Sequence, residues 1–398
     1  MAKVCIIGFG CIGSGTYEVL KQNKDIIAQR AGEPIEVKYI VDIKDLSSHE
    51  AASLVTTDFS KVTADSEVSV VVETMGGVTY AYDYSLAALK AGKSVITSNK
   101  ELVAAKGDEL SKLAKDMGVK YLYEAAVGVG IPIIRPIADS LCANKITEIT
   151  GILNGTTNYI LTKMLSDGTS FADALSDAQK LGYAEQDPTA DVEGFDTGKK
   201  ISILSSMAIG KKVNFEDVHT EGITNVSLED IEYANAVDCT IKLIGKFKRS
   251  ADGDDVLVAP MLIHKSSPLY GVDDVFNAVL VDCDMLGESL YYGKGAGMLA
   301  TASAVVADVM DAVYNSSAPY TPAWSSSEER LNKDYSEYKA CFMIRIKGSL
   351  SAVPKALESA QVLSVKDGEY AVVTDEITVG ELDGITQGLD VISMYAFA

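Results

Sequence analysis

The sequence is short of histidine, of paired cysteine and of positive charge. Its three histidines, His49, His219 and His264, are not set beside a plausible nucleophile, so serine or cysteine hydrolase chemistry has little to build on. Acid–base work therefore falls to Lys, Asp, Glu or Tyr. The six cysteines, Cys5, Cys11, Cys142, Cys239, Cys283 and Cys341, contain no CxxC pair; neither a zinc site nor a disulfide framework is indicated, and all six read as reduced thiols. Lys and Arg total 35 against 56 Asp and Glu, a formal charge of −21. Phosphate binding needs clustered basic residues that release counterions, so nucleic acid is not an expected partner. No apolar run approaches the roughly 18 residues that span a membrane. MAKVCIIGFG passes from one lysine into an apolar strand and glycines, without the apolar core and cleavage site of a signal peptide. A cytoplasmic chain with no membrane partner is expected.

At 398 residues, 47% of them hydrophobic, the chain is long enough for two or three domains, each with its own core. Over residues 1–130 short apolar runs (KVCIIG, VKYIVD, SVVVET, SVITSN, VKYLYEA) alternate with helical patterns such as 16–30 and 80–91, which predicts a parallel sheet covered by helices. From residue 131 longer helices, at 133–141, 159–165, 171–181 and 200–209, mix with strands such as ITEITGIL. A small-residue helix over 296–314 can return to the first domain. NSSAPYTPAWSSSEE, rich in Ser and Pro, reads as part of a linker over 315–334. The tail, 335–398, then reads as βαββαβ, with LSAVPKALESA as its first helix.

IIGFGCIGSG holds Gly8, Gly10 and Gly13 in G-x-G-x-x-G spacing, with Cys11 and Ile12 between the last two. The first glycine permits a tight turn, the second admits a pyrophosphate to the backbone, and the third lets helix and strand pack closely. Alone the pattern is weak, but after a strand and before a helix it points to a dinucleotide. Asp42, ending the second strand in YIVDIKDL, suits the ribose hydroxyls of NAD, although it lies 29 residues beyond Gly13. Lys44 would instead suit the 2′-phosphate of NADP. VVVETMGG, with Thr74 and Gly76, and VITSNKELVAAKG, with Ser98, Asn99 and Lys100, end later strands where open α/β sheets place their ligands. Lys100 there reads either as a donor to an oxygen developing charge or as a surface lysine at a helix start.

These segments, together with EAAVGVGIPII, GILNGTTNYIL, GYAEQDPTADVEGFDTGKKISIL and GKGAG, stand in the order and approximate spacing of the homoserine dehydrogenases, which residues 1–320 resemble. That family interconverts L-homoserine and L-aspartate 4-semialdehyde with NAD(P), on the route to threonine and methionine. The resemblance implies a Rossmann-type doubly wound parallel sheet (1–130, with 296–314), an α+β substrate and dimerisation domain (131–295), and, after the linker, a small ferredoxin-like, ACT-like regulatory domain (335–398). It implies Lys200 and Lys100 as catalytic residues and Glu185, Asp191 and Asp196 as substrate-binding residues. Gly295 falls in a loop near the cofactor. Glu124, with the carbonyls of Val127 and Val129, matches a site for a monovalent cation, Na+ or K+. A homodimer, and an amino-acid effector at the tail, are the implied partners besides the small substrate. Asp196 and Lys200 are four apart and so share a helix face, leaving Ile201, Leu204 and Ala208 to pack the other side; carboxylates before that helix suit the substrate's α-ammonium. Another two-domain dehydrogenase, or a non-catalytic dinucleotide sensor, is the alternative. The tail departs from most ACT sequences, reading IKGSLSAVP where a proline–glycine pair is usual.

Overall fold

A computed structural model describes residues 1–315, 322–349 and 361–398; the expected helix LSAVPKALESA and part of the expected linker lie outside them. The chain divides into two units. One comprises Met1–Asn144, Ser202–Phe215 and Gly293–Glu328, the other Lys145–Ile201, Glu216–Tyr292 and Glu329–Ala398. Among the described residues no helix is long and apolar enough to cross a membrane.

In the first unit the chain runs β1 (Ala2–Ile7), α1 (Cys11–Gln22), α2 (Lys24–Ala31), β2 (Ile35–Val41), β3 (Val55–Thr56), α3 (Ser60–Ala64), β4 (Val68–Glu73), α4 (Thr79–Lys90), β5 (Ser94–Thr97), α5 (Lys100–Met117) and β6 (Tyr121–Leu122). The six strands pair in the order β3-β2-β1-β4-β5-β6, every pair parallel. Strands covered on both faces must be apolar on both faces, and VSVVVE of β4 meets that demand. The order reverses direction between β1 and β4, the switch point at which such sheets bind nucleotides. The helix Met298–Tyr314 belongs to this unit: Val305, Val306 and Val309 share a core with Val4, Ile6, Val70 and Ile96.

One expected helix is divided and another changes its hydrogen-bond type. The segment 16–30 is not one helix but the end of α1 and all of α2, divided at Asn23, whose ψ of 16° leaves the helical range. The expected helix 133–141 is observed over 134–140, α-helical at Ile134 and Arg135 and then π-helical over Pro136–Ser140; the N–H groups of Ile133, Ile134 and Arg135, which have no partner within a helix at its start, are capped by the Glu124 carboxylate. The part of the expected linker that is described is anchored. Trp324 is buried against α5 at Gly107, where an added Cβ would fall 2.8 Å from the indole.

The second unit contains β7 (Ile146–Ile152), α6 (Gly155–Asp167), α7 (Phe171–Lys180), α8 (Thr189–Val192), the start of α9 (Phe195–Ile209), β8 (His219–Thr220), α10 (Leu228–Ala236), β9 (Cys239–Lys248), β10 (Asp255–His264), β11 (Phe276–Cys283) and most of β12 (Gly287–Lys294). The tail adds β13 (Lys339–Ala340), β14 (Phe342–Lys347), β15 (Gln361–Leu363), β16 (Glu369–Val373), β17 (Ile377–Thr378), a helix Val379–Thr386 and β18 (Val391–Phe397). One mixed sheet runs β12-β11-β7-β9-β10-β18-β14-β16-β15. The sheet is therefore continuous across residue 334: β18 pairs parallel with β10 at Met261–Ala396 and Leu262–Phe397, and Phe342, Ile344 and Val372 share a core with Leu257 and Met261.

Candidate active site

The dinucleotide-type turn is built as its glycines require. Gly8 leaves β1 at φ +84°, and a Cβ on Gly13 would lie 2.0 Å from the Gly8 carbonyl oxygen. Only glycine allows α1 to start that close to the strand. Gly10 is different: nothing lies within 4 Å of where its Cβ would be. The protein's own packing does not demand glycine there, whereas a ligand approaching the backbone would. Cys11 opens α1 exposed and Ile12 is half-buried. The crevice beside this turn encloses about 610 Å3 and is lined by Gly8, Gly10, Asp42, Lys44, Thr74 and Gly76 among others. Thr74 Oγ1 donates to the carbonyls of Ile7 and Gly8, at 3.0 and 2.7 Å.

Asp42, at the end of β2, accepts the N–H of Phe9 and of Lys44. Burial pushes its carboxyl pKa up, but the backbone N–H groups of Phe9, Lys44 and Ile43 outweigh this and hold it below the usual range. Asp42 thus remains a charged acceptor at the lip of the crevice. Lys44 is exposed two residues on.

The end of β5 does not line the crevice but is tied to the turn after β4. Asn99 caps α5, its Oδ1 accepting the N–H of Glu101 and Leu102 at 3.1 Å each, and its Nδ2 donates to the Gly77 carbonyl at 2.7 Å. Ser98 and Lys100 on either side are half-buried. Behind them lies a carboxylate that sequence reasoning passed over: Glu73, the last residue of β4, is fully buried. It accepts from Thr97 Oγ1 and the Met75 N–H, and burial pushes its pKa up to about 7. The available signal was the acidic residue closing an otherwise apolar strand.

In the second unit α9 presents the charged face that the i, i+4 spacing predicts. Lys200 Nζ lies 2.7 Å from Asp196 Oδ2 and donates to the Leu153 carbonyl at 2.7 Å; both side chains are buried. On the packed side Ile201 and Leu204 are fully buried. Gly245 of β9 admits the helix, since a Cβ there would meet Thr197, Ile201 and Leu153 at 3.1 Å. Asn154 Nδ2 bridges Asp191 and Asp196, at 2.7 and 3.0 Å, while its Oδ1 caps α6 through the Thr157 N–H. Asp191 is raised in pKa by burial and then by the charge of Asp196, against the pull of Asn154 and Lys200. Asp191, Asp196 and Lys200 therefore form one hydrogen-bonded cluster, organised by an asparagine that was not singled out from the sequence although it lies within GILNGTTNYIL. Glu185 stands outside that cluster on the exposed loop before α8, its carbonyl accepting from Gln179.

Comparison with known proteins places both stretches of the chain in one family. The family model "Homoserine dehydrogenase, NAD binding domain" matches residues 8–124, and the model "Homoserine dehydrogenase" matches 132–310. The homoserine dehydrogenase of Pseudomonas aeruginosa is 44% identical over 312 residues, 78% of this chain and 72% of that one. The chain belongs to the homoserine dehydrogenase family. It is thus an NAD(P)-dependent oxidoreductase of amino-acid biosynthesis. The Bacillus subtilis homoserine dehydrogenase is 38% identical over 317 residues, 79% of this chain and 73% of that one. The crystal structure of a homoserine dehydrogenase from Thiobacillus denitrificans superposes with a TM-score of 0.91 at 34% identity, covering all of this chain and 98% of that one. A hyperthermophilic archaeal homoserine dehydrogenase in complex with NADPH gives a TM-score of 0.67 at 26% identity, over 79% of this chain and 98% of that one.

The remaining residues implied by resemblance to the homoserine dehydrogenases are also placed. Gly295 is buried in the turn before helix Met298–Tyr314. Glu124 is buried; its Oε1 accepts from Ile133 and Ile134, its Oε2 from Arg135. Val127 is buried, and Val129 has a left-handed φ of +59°. Asp308 accepts the Glu124 N–H and pairs with Arg135 at 2.6 Å. Burial, against the pull of Arg135, pushes its pKa up to about 7.

Proposed function

We propose that the chain interconverts L-homoserine and L-aspartate 4-semialdehyde by direct hydride transfer, with Lys200 supplying charge to the substrate oxygen. The observation that carries this reading is the buried Asp196–Lys200 pair, linked to Asp191 through Asn154. A bound nicotinamide supplies or accepts the hydride. Lys200, held by Asp196 and the Leu153 carbonyl, keeps a fixed ammonium where an alkoxide can be stabilised without reorganisation. Asp191, with Glu185 from the exposed loop before α8, provides anionic partners for the substrate's ammonium. Lys100, the first residue of α5, is proposed as a further proton or hydrogen-bond donor. No cysteine nucleophile is required, which separates this chemistry from acyl-enzyme aldehyde oxidation.

Open space at Gly10 and the charged Asp42 fit a dinucleotide whose ribose hydroxyls are free, so NAD is the proposed preference. A monovalent cation, Na+ or K+, would draw on the remaining lone pair of Glu124 Oε2 and the Val127 and Val129 carbonyls, since Oε1 already accepts two N–H groups. The tail is proposed to be ACT-like and to take an amino-acid effector. Its four strands in the large sheet lie in the order fourth, first, third, second (β18-β14-β16-β15), with antiparallel pairs throughout. A cytoplasmic homodimer built through the second unit is proposed because β12 closes one edge of its sheet with Leu290 and Tyr292 exposed. Steady-state oxidation of homoserine with NAD and with NADP side by side tests the whole reading. Dinucleotide binding without turnover would replace it with a sensor.

A further inference from the structure

Glu73 is a fully buried carboxylate that no step of the proposed reaction uses. Its two oxygens reach separate loops: Oε1 accepts the Met75 N–H at 2.7 Å, and Oε2 accepts the Thr97 hydroxyl at 2.5 Å. Thr97 Oγ1 in turn accepts the Asn99 N–H at 2.9 Å, and Asn99 Nδ2 returns to the Gly77 carbonyl at 2.7 Å. The chain from 73 to 77 closes the ring. The same Asn99 holds the first turn of α5, where Lys100 begins. A buried carboxylate is costly without hydrogen bonds, and an apolar residue would leave both the Met75 N–H and the Thr97 hydroxyl without this acceptor. What the carboxylate does is tie the 74–77 turn, which contributes Thr74, Met75 and Gly76 to the crevice, to the 97–100 turn.

We infer that Glu73 is a positioning residue for dinucleotide binding, fixing the turns after β4 and β5 in the one spacing that receives the cofactor. The inference rests on the reading of the crevice at Gly8 and Gly10 as the dinucleotide site. Small misplacements of binding groups are expensive even far from the chemistry, so loss of the tie appears in cofactor affinity first.

The test titrates NADH against the full chain carrying Glu73→Leu, Glu73→Gln or Gly10→Val, with thermal unfolding recorded for each. Glu73→Leu leaves the Met75 N–H and the Thr97 hydroxyl without their acceptor, so it should still unfold cooperatively but at a lower temperature than wild type, while its NADH Kd rises about tenfold or more. Glu73→Gln can still accept from Met75 with Oε1 and donate to Thr97 Oγ1 with Nε2, and should stay within about threefold of wild type. Gly10→Val fills the open space in the crevice and should abolish binding. Wild-type affinity in Glu73→Leu alongside a crippled Gly10→Val overturns the positioning role; wild-type affinity in Gly10→Val overturns the site reading itself. Should Glu73→Leu not fold, Thr97→Val breaks both links of the hydroxyl and decides by the same measure, a raised Kd supporting the role and an unchanged one refuting it.

Discussion

Replacing Lys200 with Met deletes one ammonium from the second unit and little else. The side chain is buried, and a methionine of similar length keeps most of its packing. Two separate losses follow. Transition-state stabilisation of the developing alkoxide goes, lowering kcat by about 10²–10³-fold, or about 3–4 kcal/mol. Asp196 is also left buried without its cation, which typically costs about 3–5 kcal/mol of stability; the Asn154 amide, 3.0 Å away and retained, places the expected cost near the lower figure. The double change Lys200→Met/Asp196→Asn removes the stranded charge, so it should recover most of the unfolding temperature and none of the activity. Lys199→Met, one position round the helix and half-buried, is the control and should stay near wild type. Homoserine-dependent NADH formation, NADH affinity and thermal unfolding on all three variants separate the terms. Activity that returns with stability in the double variant would show that Lys200 is structural, and a crippled Lys199→Met beside a normal Lys200→Met would show the register of α9 to be misread.

Asp42→Gly should improve use of NADP more than use of NAD, because a carboxylate repels a 2′-phosphate; equal changes in kcat/KM for both cofactors would remove Asp42 from the ribose site. Asn154→Asp keeps the α6 cap but points an oxygen at Asp191 and Asp196 in place of an amide, so homoserine KM should rise at least about tenfold with NADH affinity unchanged, and an unchanged KM would refute the bridging role. Glu73 titrates near pH 7 when folded against 4.5 as its ordinary value, so the folded state holds the extra proton between those values. Stability is then lost as pH rises through that window, by at most about 3 kcal/mol, and Glu73→Gln should flatten the fall in unfolding temperature from pH 5 to 8. Removing the tail after residue 334 strips β18 from β10 and Arg345 from Asp230, a buried pair at 2.5 Å. Breaking such a pair costs about 3–5 kcal/mol, so the truncated chain should lose cooperative unfolding of the second unit, and a truncated chain that unfolds and turns over normally would make the tail a detachable domain.

The parts of the molecule legible from sequence are those in which local pattern and final environment agree. Parallel strands are apolar because both faces are covered, so β1, β4 and β5 announce themselves, and the spacing of Asp196 and Lys200 survives because a helix preserves it. Less legible were features decided by partners distant in the chain. The 133–141 segment is helical, as its pattern predicts, but the cap on its first N–H groups comes from Glu124, and nothing in the local sequence records that partner. The Ser- and Pro-rich run at 315–334 has a linker's composition, yet Trp324 finds the gap that Gly107 leaves in α5. Glu73 and Asn154 were hidden for a related reason. Each sits inside a quoted motif, but its importance lies in joining two segments: Glu73 joins residues 75 and 97, and Asn154 joins 191 and 196. A motif read along the chain shows which residues could touch a ligand. It does not show which residues hold those others still, because that work is done by hydrogen bonds across gaps of 24 to 42 residues. The sites of this chain are therefore best probed at their organisers, where a shape-preserving substitution can remove a bond while leaving every ligand-facing side chain in place.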